Sequence, residues 1–208
     1  MNVFNSLQDC SHKIQDPWPH YKITNFFTEP YLADIYSAFY NMPFASTYEP
    51  CRLEFPFNKL TYDKYEIVSK LVDQFRSSSN KDDLYKLCNR SFTHNALLRV
   101  SLWLDLPTYT LPIHPDKGYK IFTLQIYIPH SDENLGTDIY DQDKQFHSRI
   151  KFEKNNGYCF MPSRVDPISW HAYTQPIKAM RQTVVVNLFD KEQYIREKKG
   201  RDEDWFSM

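Results

Sequence analysis

His114-Pro115-Asp116 is followed by His171 and then by Arg181-Gln182-Thr183, all in the second half of a 208-residue chain. Two imidazoles and one carboxylate can hold Fe(II) on one face and leave three positions open. In an extended segment residues i and i+2 project to the same side, so His114 and Asp116 can face one ion. Pro115 fixes its own φ and pushes His114 toward an extended backbone, which lessens the ordering needed on binding. Alone, His-x-Asp is a weak pattern, and the chain holds a second copy, His130-Ser131-Asp132. The first copy precedes the stretch IFTLQIYIP, whereas the second falls in the polar run after it. A ligand pair needs a strand to position it. That favours His114 and Asp116 and leaves His130 and Asp132 as a solvated turn.

His171 sits in the alternating stretch ISWHAYT, which points His171 and Tyr173 to the same face. A lone strand histidine is more often a core residue than a ligand; its neighbour RQTVVVNLFD raises this one. There Arg181, Thr183 and Val185 share a face, and a hairpin would set His171 and Arg181 on adjacent strands. An inward arginine is costly unless it meets an anion. That anion is either an internal aspartate or glutamate or the carboxylate of a ligand, for which a planar guanidinium suits better than an ammonium. The upstream His and Asp residues favour the ligand, with Thr183 adding a hydroxyl.

The elements that must position these groups fall into two regimes. Over residues 1–95 the pattern is mainly helical. Thr28-Glu29-Pro30 reads as a helix start, with Thr28 as N-cap and Leu32, Ile35, Tyr36 and Phe39 at helical spacing. A second helix after Thr61 buries Val68, Leu71, Val72 and Phe75, and a short third one after Asn80 carries Leu84, Leu87 and Cys88. Between them, Pro43 to Phe57 reads as an irregular loop because of its prolines. After Asn95 the period becomes two. Val100, Leu102 and Leu104 alternate with Arg99, Ser101 and Trp103, while Phe122, Leu124, Ile126 and Ile128 oppose the more polar Ile121, Thr123, Gln125 and Tyr127. Further strands are expected near 146–152, 157–161, 168–174 and 181–189. Short strands at this density predict a β-rich jelly-roll core over 96–190. A closing helix over Lys191 to Lys199, stopped by Gly200, lies in the final segment 191–208.

Composition narrows the classes. A net charge of −1 gives no reason to expect a nucleic-acid or membrane-surface partner. Mean hydropathy is −0.62 although 16% of residues are aromatic, as for aromatic walls in a soluble protein. No apolar run approaches the roughly 20 residues of a membrane-spanning helix, and the first residues lack the pattern of a signal peptide. A cytoplasmic protein is the expectation. Cys10, Cys51, Cys88 and Cys159 form no CxxC pair and read as free thiols. Asp138, Asp141 and Asp143 read as a solvated turn.

Taken in order, DPWPHYKITNFFTEPYLADIYSAF, HPD, IFTLQIYIP, LGTDIY, NGYCFMPS, the Trp-His of ISWHAYT and RQTVVVNLFD are similar to the Fe(II)/2-oxoglutarate-dependent dioxygenases. The chain most resembles their prolyl 4-hydroxylase-like branch. The resemblance covers most of the chain and implies one domain over 1–208, a double-stranded β-helix with N-terminal helices packed against one sheet. It implies Fe(II) ligated by His114, Asp116 and His171, with 2-oxoglutarate and O2 as co-substrates. Arg181 and Thr183 would take the distal carboxylate of 2-oxoglutarate, and Tyr127 matches a helper tyrosine, ordinary packing being its alternative. The expected reaction is hydroxylation of an unactivated C–H bond with release of succinate and carbon dioxide. Upstream of His114 the chain has Leu104 and Leu111 where prolyl hydroxylases often place tyrosines, so prolyl specificity does not carry over. The substrate class stays open to small molecules and peptides, and the oligomeric state is unread. Arg99, Trp103, Arg164 and Trp170 are the nearest candidates for substrate contact. Two other readings share the jelly roll: a cupin-like metal protein or non-2-oxoglutarate dioxygenase, and a binding module without turnover.

Overall fold

The computed structural model describes residues 2–47, 49–88, 95–128, 132–198 and 205–208. In chain order, α1 (Leu7–Cys10) leads into β1 (Ser11–Ile14), β2 (His20–Ile23) and the long helix α2 (Glu29–Asn41). β3 (Ala45–Ser46) and β4 (Arg52–Phe57) follow, then α3 (Lys59–Tyr62), α4 (Glu66–Arg76) and α5 (Ser78–Cys88). The second half contributes β5 (Ala96–Asp105), β6 (Leu111–His114), β7 (Lys120–Ile128), β8 (Asp132–Tyr140) and β9 (Phe146–Phe152). It continues with β10 (Gly157–Phe160), β11 (His171–Tyr173), β12 (Arg181–Asp190), α6 (Lys191–Lys198) and β13 (Phe206–Ser207).

The strands form two antiparallel sheets. The larger runs β1-β2-β10-β7-β12-β5-β4-β3, with β13 also on β5, and the smaller runs β6-β11-β8-β9. Their period-two patterns give the larger sheet two unlike faces. Leu102 and Val100 of β5, Leu124 and Ile126 of β7, and Val184 and Val186 of β12 join one buried cluster. The same cluster holds Leu32, Ile35 and Phe39 of α2 and Val68, Leu71, Val72 and Phe75 of α4. The N-terminal helices therefore pack on this face, each fully buried Leu or Phe contributing about 1.5–3 kcal/mol. The opposite face meets the smaller sheet through an aromatic layer that includes Trp18, Tyr109, Tyr127, Phe152, Tyr158, Phe160 and Tyr173. This is the jelly-roll core with helical backing on one sheet. Among the described residues, no helix is long and apolar enough to cross a membrane.

Several expectations change here. Pro43 to Phe57 is not wholly irregular: β4 pairs with β5 from Arg52↔Asp105 to Phe57↔Val100. Pro56 fits because β3 covers only Leu53 and Glu54, leaving β4's outer edge open beside the proline. The hairpin joining His171 to Arg181 does not form either. β11 lies in the smaller sheet and β12 in the larger, so the two residues come from opposite walls. Thr28 occupies the N-cap of α2, yet its hydroxyl bonds to the Asn2 and Val3 carbonyls and ties the N-terminus down instead. Asp138 is buried on β8 and held by Arg149 through Nε and Nη2 at 2.5 and 3.1 Å, so it is no solvated turn. Cys10, Cys51 and Cys159 are free thiols. Gly200 and His130 lie outside the described residues.

Gly157 begins β10 where that strand lies against β7. An added Cβ would sit 1.9 Å from the Gln125 carbonyl oxygen, a backbone atom that cannot move alone. Gly157→Ala is expected to cost about 3 kcal/mol or more in urea denaturation.

Candidate metal centre and adjoining cavity

The smaller sheet sets the first two groups. β6 and β11 pair with His171 directly opposite His114, which brings the imidazole centroids to 4.5 Å. Each ring is fixed in the same way. His114 Nδ1 lies 2.9 Å from the Pro112 carbonyl oxygen and His171 Nδ1 lies 2.9 Å from that of Ser169. A carbonyl can only accept, so each Nδ1 carries a proton, and a neutral ring then keeps its Nε2 lone pair for a ligand.

Asp116 completes the group two residues past β6. Ligand atoms of His114, Asp116 and His171 all lie within 4.8 Å of one another. The carboxylate is steered by two neighbours, of which the sequence reading missed Lys120. Lys120 Nζ donates to Oδ1 at 2.6 Å, and Thr123 Oγ1 donates to Oδ2 at 2.8 Å. The Lys117–Lys120 turn, closed by a 3.0 Å backbone bond, returns Lys120 over Asp116. Each carboxylate oxygen keeps lone-pair capacity beyond these bonds. Two neutral imidazoles with free Nε2 and one oriented carboxylate fit a divalent ion such as Fe(II).

Electrostatics agree with that protonation. Burial pushes the His171 imidazole down to about 4, with the nearby His114 adding to the effect and Asp116 opposing it. Burial pushes the Asp116 carboxyl up, but Lys120, His171 and Thr123 more than offset it and hold the group at about 2. At neutral pH Asp116 is therefore a carboxylate and the His171 ring is uncharged.

A cavity of about 550 Å³ opens on these residues. Its floor is the polar face of the larger sheet, with Thr123 and Gln125 of β7 and Val185 and Asn187 of β12, as the alternation of β7 leads one to expect. Tyr158 and Tyr173 both donate to Gln125 Oε1, at 3.0 and 3.2 Å. Arg52 and Glu54 of β4 and Arg99 and Trp103 of β5 make the far wall. Arg99 is committed to Glu54, which Ser101 also holds. Of the four candidates for substrate contact, Arg99 and Trp103 line the cavity. Arg164 instead lies beside Gly118, and Trp170 lies under Lys144.

Arg181, Thr183 and Tyr127 are fully buried and do not line the cavity. Arg181 is fully buried, with Nη1 on Asp105 at 2.9 Å, Nε on the Leu135 carbonyl at 2.8 Å and Nη2 on the Tyr173 hydroxyl. Tyr127 bonds to Thr137 at 2.8 Å, and Thr183 accepts from Gln125 at 3.4 Å. Asp105 also takes Arg52 through Nε and Nη2, at 2.6 and 3.2 Å. Arg181 therefore meets an internal carboxylate in this structure.

No family model matches the sequence, and no curated protein matches it. Solved structures do match in fold. One is an oxidoreductase of the 2OG-Fe(II) oxygenase family from Burkholderia pseudomallei, with TM-score 0.61, 9% identity and 82% of this chain on 84% of that one. Another is a prolyl hydroxylase from Trichoplax adhaerens in complex with a hypoxia inducible factor peptide fragment, with TM-score 0.59, 14% identity and 84% of each chain. A third is HygX from Streptomyces hygroscopicus with nickel and 2-oxoglutarate bound, with TM-score 0.58, 8% identity and 82% of each chain. At these identities the likeness is one of fold. It is the fold that the sequence motifs resemble, prolyl hydroxylase-like members included.

Two outcomes follow from the geometry. His114→Ala is expected to weaken Mn(II) binding by at least about 100-fold in calorimetry, whereas His130→Ala leaves it unchanged. The second concerns the metal-free protein. His171, lowered from 6.5 to about 4, contributes stability that is complete above pH 6.5 and is lost as pH falls through that window. Asp116, lowered from 3.8 to about 2, loses its contribution between those values. The urea midpoint should therefore begin to fall below pH 6.5, and His171→Asn should shrink the upper part of that decline, to which the buried His20, also lowered, contributes as well.

Proposed function

We propose that this chain is an Fe(II)- and 2-oxoglutarate-dependent dioxygenase that hydroxylates an unactivated C–H bond of a small molecule or peptide, releasing succinate and carbon dioxide. The observation that carries the reading is the convergence of His114, Asp116 and His171 within 4.8 Å, with both imidazoles turned to offer Nε2. Neighbours of the same fold support it, since one holds nickel and 2-oxoglutarate and another holds a peptide.

Fe(II) held there supplies activation of dioxygen coupled to oxidative decarboxylation of the 2-oxo acid. The chain's own residues do the rest. The Pro112 and Ser169 carbonyls hold the two rings in one tautomer, so no reorganisation is needed when the metal is bound. Lys120 and Thr123 keep Asp116 ionised and aimed. Phe160 meets the His171 ring edge-on at 5.2 Å and Trp18 packs behind Phe160, which keeps water from that side. Arg181, Thr183 and Tyr127 serve the carboxylate end of the cavity as the buried layer that fixes Tyr173 and Gln125. Ala45, Ser46 and Thr47 border the cavity on the N-terminal side, where the primary substrate has room to enter.

A second reading is a metal protein that needs no dicarboxylate, and the Arg181–Asp105 ion pair favours it. Turnover separates the two. Purified protein given Fe(II), oxygen and 2-oxoglutarate is expected to release succinate slowly without its primary substrate, and Asp116→Ala to abolish that release. Absence of both uncoupled succinate release and 2-oxoglutarate binding in the intact protein would refute the leading reading.

A further inference from the structure

Asn187 is the one polar residue in the run VVVNLF of β12, a central strand paired on both sides. Thr123 of β7 lies directly across from it on one flank and Arg99 of β5 on the other. Val186 and Leu188 beside it join the core that faces the helices, so the asparagine stands on the cavity floor, 2% exposed. Asparagine is depleted in strands, and a buried amide without a partner is costly. What it meets is the Thr123 hydroxyl, with Oδ1 and Oγ1 3.0 Å apart.

One proton decides the direction of that contact. A threonine hydroxyl carries a single hydrogen to donate. Thr123 gives it to Asp116 Oδ2 at 2.8 Å, and an ionised carboxylate can only accept. With Oδ1 as the near atom of the amide, two acceptors would compete for that hydrogen. A half-turn of the amide exchanges Oδ1 and Nδ2 without changing its shape. The contact then becomes a hydrogen bond from Nδ2 to a lone pair of Oγ1. Three side chains form a one-way chain of donors, from Asn187 to Thr123 to Asp116, in which each bond polarises the next. Lys120 holds the other carboxylate oxygen at 2.6 Å, so Asp116 is steered from both edges.

We propose that Asn187 is a positioning residue for the Asp116 carboxylate, acting through Thr123 by pinning the hydroxyl with its proton toward Oδ2. Without the amide, the Thr123 hydroxyl is free to turn and the carboxylate loses one of its two fixed edges. Partners of this kind set how well a ligand group is held for an ion. The role presupposes that His114, Asp116 and His171 bind a divalent metal, and it is independent of the reaction carried out there. An asparagine that merely fills the floor would act the same whether or not the Thr123 hydroxyl is present.

Mn(II) affinity, measured by calorimetry across a double-mutant cycle, separates these roles. Thr123→Val keeps the branched shape and removes the hydroxyl, and it is expected to weaken Mn(II) binding about tenfold. Asn187→Leu should weaken it about fivefold in the unmodified chain. In the Thr123→Val background, where no hydroxyl is left to pin, the same change should cost less than about twofold. A loss of equal size in both backgrounds, or no loss in the unmodified chain, overturns the proposal. If Asn187→Leu does not fold, judged by near-ultraviolet circular dichroism, Asn187→Ala takes its place in the cycle with the same expected pattern. If the unmodified chain binds no Mn(II), the metal-site reading and the proposal fall together. Mn(II) binding with an additive cycle removes the proposal and leaves the metal site standing.

Discussion

The antiparallel register that sets His171 against His114 is the constraint on which the rest depends. Two rings meet across a ladder only if β6 and β11 pair in that register, because a slip of one residue turns every side chain to the other face. The same backbone that fixes the register also fixes the tautomers, since each ring's Nδ1 bonds to a carbonyl two residues earlier in its own strand or approach. Asp116 then needs only to be steered. Lys120 and Thr123, both on β7, do this from the other sheet and so tie the two walls together at the site.

The larger sheet turns one apolar face to the helices and one polar face to the cavity. The polar face is costly unless every group finds a partner. Here Gln125, Thr137, Tyr173 and Arg181 form a connected layer, with Asp105 joining β12 to β4. Removing one member leaves a buried donor or charge unmet, so this layer rigidifies the floor on which a ligand rests. Its charges are distributed across three strands and one loop, and the loop contributes the least buried of them, Glu49, on Arg52 Nη1 at 2.6 Å.

Much of this was legible in the sequence. Period-two alternation placed Thr123 and Gln125 on the site face and Phe122, Leu124 and Ile126 in the core. The helices after Thr28 and Thr61 followed from apolar spacing. His114, Asp116 and His171 were singled out by their types and their flanking strands, and the fold brings them together. What could not be read was long-range partnership. Arg181 was recognised as an inward arginine in need of an anion, but the choice between an internal acid and a ligand depended on Asp105, which lies 76 positions away. Arg52 and Glu49 were hidden because three prolines masked an edge strand, and local composition cannot show that β4 continues a sheet begun elsewhere. Lys120 gave no signal at all, being one more charge at a strand start until a turn folds it back.

The pairing of β4 with β5 has a consequence for how the molecule could be divided. One wall of the cavity and half of its ionic cluster come from residues that precede the helices α3 to α5, whereas His114, Asp116 and His171 come long after them. A fragment excised to begin at β5 would retain the imidazoles but expose a raw strand edge and strand Asp105 with a single arginine. The jelly roll of this chain is therefore closed by its own early sequence, and it is not a detachable module carrying an ornamental N-terminal extension.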